Sequence, residues 1–99
     1  SHFTFVIDDF TDYHHVNDFK SEEARRMFTD WQTKCVTLEK QAKQLEERRT
    51  RYTQSSKDER IKMTEELLLM EQQYEQLETE VAGMERAIRN TEIRFRGGK

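Results

Sequence analysis

Residues 63–88 read MTEELLLMEQQYEQLETEVAGMERAI, and their apolar rhythm decides the fold. Met63, Leu67, Met70, Tyr74, Leu77, Val81, Met84 and Ile88 follow one another in steps of three or four, so they form one stripe on a helix. The rhythm continues through Thr91 to Phe95 and backwards to Arg60. An earlier arm repeats it through Ala24, Phe28, Trp31, Cys35, Leu38, Ala42, Leu45, Arg49 and Tyr52. Successive heptads with charged flanks predict an all-α, long coiled-coil rod over residues 21–96. The seam residues Phe28, Trp31, Cys35, Leu38, Ala42, Leu45, Tyr52, Met63, Leu67, Met70, Tyr74, Leu77, Val81, Met84 and Ile88 are the expected oligomer interface.

Charge patterning favours an antiparallel arrangement. Between Met63 and Glu85 lie Glu65, Glu66, Glu71, Glu75, Glu78, Glu80 and Glu85 with no Lys or Arg, whereas the first arm is net basic. In a parallel homodimer, the runner-up, Glu66 would face Glu71 and Glu80 would face Glu85. An antiparallel contact centred on Ser56 instead predicts Lys34–Glu80 and Arg48–Glu66, brings Arg25 towards Glu85, and leaves Glu39–Glu71 as one repulsive pair. It also sets large residues against small ones, with Phe28 opposite Met84, Trp31 opposite Val81, Cys35 opposite Leu77, Ala42 opposite Met70 and Leu45 opposite Leu67. Exposed ion pairs contribute only about 0.2–1 kcal/mol each, so they select orientation and do not drive assembly.

The two arms do not share a frame. Taking Phe28 as position a makes Tyr52 a d residue, and in the second arm Leu67 is a and Met70 is d. The join runs Tyr52, Ser56, Arg60, two steps of four, which is a stutter or a turn within 53–58. With no Gly or Pro between Ser21 and Ala82, a continuous helix is the expected form. The alternative is a turn at Gln54-Ser55-Ser56-Lys57, with Ser56 and Glu59 spaced as a capping box.

Residues 1–20 lie outside the heptads and form a short arm, extended or with one helical turn. Phe3-Thr4-Phe5-Val6-Ile7 favours extended backbone, and Asp8 is placed to cap a turn carrying Phe10 and Tyr13. The main helix is expected to start near Ser21, with Glu22 and Glu23 at its positive end. Residues 97–99 are a frayed end. The start at Ser1-His2 without an initiator Met is expected of a segment cut from a longer protein.

The composition excludes several functions. Of 99 residues 37% are charged and 33% hydrophobic, and Pro is absent, which suits a narrow apolar seam better than a globular core. A net charge of −3 gives no general attraction for nucleic acid or membranes. No apolar run reaches the roughly 20 residues of a membrane span. The single cysteine points to a reducing, intracellular setting, cytoplasmic or cytoskeletal. At a seam position, Cys35 is a buried small hydrophobe. His14-His15 points two ways and does not converge on a metal, and Asp8, Asp9 and Asp12 lack the Gly and distal Glu of a calcium loop. No catalytic, cofactor or metal set can be assembled on such a rod.

Function is therefore expected to be non-catalytic: oligomerisation and scaffolding within a larger cytoskeletal or cell-division protein, the chain pairing with itself as a homodimer or higher oligomer. A heteromeric adaptor is one alternative, its acidic second arm taking a basic helix of another protein. Another is contact with an acidic filament such as a microtubule, or less readily with nucleic acid, through Arg48, Arg49, Arg51, Arg94 and Arg96.

Overall fold

The computed structural model describes residues 18–97. Expectations for Phe3–Ile7, for Asp8, Asp9 and Asp12, and for His14-His15 concern residues outside that range. Two long helices, α1 (Glu22–Gln54) and α2 (Lys57–Gly97), are the α-helices of the described residues. They run antiparallel as a hairpin, giving a rod of 64 × 18 × 17 Å.

Helix α1 begins where a good cap meets an acidic first turn. Ser21 is extended (φ −76°, ψ 128°) and its Oγ accepts from the Ala24 N–H at 3.2 Å. Glu22 and Glu23 then sit at the positive end of the helix dipole. On the solvent side Thr29, Thr33 and Thr37 donate to the carbonyls four residues earlier, which satisfies hydroxyls that would otherwise compete with the helix.

The expected continuous helix is replaced by a two-residue turn at Ser55-Ser56. Ser55 is extended (φ −90°, ψ 160°), donates from its N–H to Tyr52 O at 3.2 Å and from its hydroxyl to Arg51 O at 2.6 Å. Ser56 and Glu59 form the reciprocal capping box: Glu59 N–H to Ser56 Oγ at 3.3 Å, Ser56 N–H to Glu59 Oε1 at 3.0 Å. Those bonds hold the Glu59 carboxyl below its ordinary range, the backbone N–H of Ser56 contributing most. Arg60 reaches back across the turn, its Nε donating to Tyr52 O at 3.1 Å and its Nη2 to Thr53 O at 3.0 Å. It thereby satisfies carbonyls that the end of α1 leaves open. No described residue has a positive φ, so the turn needs no glycine.

The two seams close on each other within the one chain. Phe19, Ala24, Phe28, Trp31, Cys35, Leu38, Val81 and Ile88 form a single buried cluster, with Met27, Tyr74, Leu77 and Met84 packed against it. Phe28 lies between two rings, 4.9 Å from Phe19 and 5.3 Å from Trp31 between centroids. Burial is concentrated at the open end. Towards the turn only Leu45 is buried, while Ala42, Tyr52, Met63, Leu67 and Met70 are half-covered. Phe95, expected on the seam, is 58% exposed. Glu92 is level with Ser21, so Phe95 lies one turn past the start of α1 and has no helix among the described residues to face.

Candidate functional site

The residues expected to join two chains are occupied in building one. Phe28, Trp31, Cys35, Leu38, Val81 and Ile88 lie in the hairpin core, and Tyr74, Leu77 and Met84 cover it. The antiparallel ion pairs are formed within the chain as well. Lys34 Nζ lies 3.1 Å from Glu80 Oε2, and Arg48 meets Glu66 through both guanidinium nitrogens at 3.2 Å. Glu71 bonds Arg49, at 3.1 Å from Nε and 2.9 Å from Nη2, so the expected Glu39–Glu71 repulsion is answered by a cation. Arg25 turns to the Phe19 carbonyl at 2.8 Å rather than serving as a simple partner for Glu85.

The arginine clusters are divided by the same contacts. Arg48 and Arg49 are engaged with glutamates of α2. Arg96 is held by Glu92 and by the Asp18 carbonyl at 3.3 Å. Arg51 and Arg94 remain exposed, on opposite ends of the rod. The five candidate contacts for a polyanion are thus not gathered at one end of the rod.

The open end carries a constellation that periodicity did not single out. Glu92 is 1% exposed, and its Oε1 accepts from Ser21 N–H at 3.0 Å and its Oε2 from Lys20 N–H at 2.9 Å. Arg96, one turn on, pairs with the same carboxylate. Burial by itself would raise the Glu92 carboxyl, but the two amide donors and the guanidinium outweigh it and hold it below the usual range. Glu92 therefore serves as a second, long-range cap of α1, supplied by the last turns of α2. The signal available in the sequence was a glutamate beside Thr91 where the seam drifts, since 3.6 residues per turn do not match a 3.5 repeat.

Cys35 is 8% exposed, and burial followed by the charge of Glu85 raises its thiol to about 11. It is a core residue with no reactive thiolate at neutral pH. Among the described residues no group of His, Cys, Asp and Glu is placed to hold a metal ion. No described helix is long and apolar enough to cross a membrane.

What the hairpin leaves uncovered is the outward face of α2. Ile61 is 68% exposed, and Leu68, Leu69 and Ile93 are 53–59% exposed. A groove beside Leu68 and Leu69 is walled by Glu65, Glu66, Glu71 and Glu75. No family model matches the chain, and no curated protein or solved structure does either.

Proposed function

We propose that the chain is a non-catalytic self-association module, a preformed helical hairpin that pairs with copies of itself to scaffold a larger protein. The supporting observation is the outward face of α2, which keeps Ile61, Leu68 and Ile93 in water on the side opposite the hairpin's own core. Scattered exposed apolar residues are ordinary on any surface, but residues aligned along one face of a rod suit another helix. The core at the open end is built within one chain, so association adds to the fold instead of creating it. The test is sedimentation equilibrium over a wide concentration range. A concentration-dependent dimer supports the proposal, and a monomer throughout refutes it.

A further inference from the structure

The exposed stripe along α2 is self-complementary in one antiparallel register. It starts at Ile61 and runs through Glu65, Leu68 and Gln72. Past its centre it continues through Gln76, Thr79, Gly83 and Arg86 to Asn90. Every step is three or four residues, so these positions share one side of the helix, opposite the seam. All are exposed except Gly83, which is half-covered. The acidic and apolar members lie in the first half, and the cation and the glycine in the second.

The geometry points to a symmetric dimer in which the outward faces of two α2 helices pack antiparallel about the midpoint between Glu75 and Gln76. This rests on the self-association reading and assigns it a surface and a register. Gln72 then faces Thr79 of the second copy, Leu68 faces Gly83, and Glu65 faces Arg86. Two-fold symmetry makes each of these contacts twice. Leu68 is a large apolar residue meeting the one position that offers no side chain, the pairing of knob and gap that close helix contact requires. A parallel pairing would set Glu65 against Glu65 and Arg86 against Arg86, which like charge disfavours.

Gly83 supplies an independent observation. Inside a helix glycine is less favourable than alanine. The hairpin itself gives no reason for that cost, because a Cβ built at Gly83 meets only the tip of Arg86, at 3.9 Å. A close approach from outside the hairpin does give one. The choice of a second copy over a basic partner follows from the stripe carrying both the acid and the base at reciprocal positions. The contact spans about 45 Å from Ile61 to Asn90 at 1.5 Å per residue. Its layers are largely polar, so the dimer is of the weak class.

The experiment is sedimentation equilibrium of the full chain from about 1 μM to about 1 mM, with thermal melting of each variant to verify the hairpin. Glu65→Arg and Arg86→Glu are each expected to weaken dimerisation about tenfold by setting like charges opposite each other. Mixing the two variants in equal amounts should restore it, because each then offers the charge that the other lacks. Gly83→Gln should raise the hairpin melting temperature while abolishing the dimer. A dimer indifferent to all of these changes overturns the assigned face and leaves self-association standing. A chain that stays monomeric at the highest concentration overturns both.

Discussion

Glu92 is a single carboxylate joining the last turns of α2 to the start of α1, through the Lys20 and Ser21 amides and Arg96. Its folded-state pKa lies below the unfolded one, so the folded chain binds the proton less readily. The stability it contributes is complete above the ordinary glutamate value of about 4.3 and is lost as the pH falls through the folded value. Glu92→Ala should cost about 1–3 kcal/mol at neutral pH by stranding buried donors. Glu92→Gln should flatten the acid limb of the melting profile, and an acid limb identical to that of the parent would remove Glu92 from this role. Trp31, 7% exposed and stacked on Phe28, is the other residue of large effect. Trp31→Ala should lose about 3–5 kcal/mol in a denaturant titration.

Both helix ends at the turn are satisfied by side chains of the turn and of α2. The Ser56–Glu59 box caps α2, and Arg60 of α2 bonds the carbonyls of Tyr52 and Thr53 at the end of α1. Ser56→Ala alone should cost about 1 kcal/mol. Combining Ser55→Ala, Ser56→Ala and Arg60→Ala removes the hydroxyl and guanidinium bonds of the turn, sparing only the one Glu59 accepts from the backbone at 56, and leaves good helix formers in its place. We expect that variant to open into one long helix that exchanges arms with a second copy, a domain-swapped dimer seen as a larger hydrodynamic radius. A monomer with the parent's radius would show that core packing alone fixes the turn. Absence of Gly and Pro was a misleading guide here, because an extended Ser55 followed by the Ser56–Glu59 capping box made a turn that needs no positive φ.

For the whole molecule, the central question is which chain supplies the second helix. Cys35 and Leu77 belong to one core, one on each helix. Leu77→Cys, with the native Cys35, should therefore oxidise to a disulfide within one chain. Closing that loop should raise stability by up to about 4 kcal/mol on the chain-entropy account. The product should migrate as a monomer on a non-reducing gel, and a covalent dimer would mean that the seam joins two chains. The parent chain should give little Cys35–Cys35 dimer, since the thiol is buried and its pKa is raised to about 11.

Helicity, the middle course of the seam and the antiparallel sense were legible in the chain itself. They follow from spacing and from charge order, which any antiparallel partner must satisfy whether it belongs to the same chain or another. Lys34–Glu80 and Arg48–Glu66 could be named for that reason. Tertiary structure decided what periodicity is blind to. It turned the chain at Ser55-Ser56, where Arg60 bonds the carbonyls of Tyr52 and Thr53 and the two helices pack on a common core. It left Phe95 in water because α1 starts too late to reach it, and it buried Phe19 and Glu92 at the open end. Phe19 has no place in the heptads, and a glutamate in a seam reads as an interruption until the amides that need it are brought beside it. Spacing fixes which side of a helix a residue occupies. Only the packed molecule fixes what stands opposite.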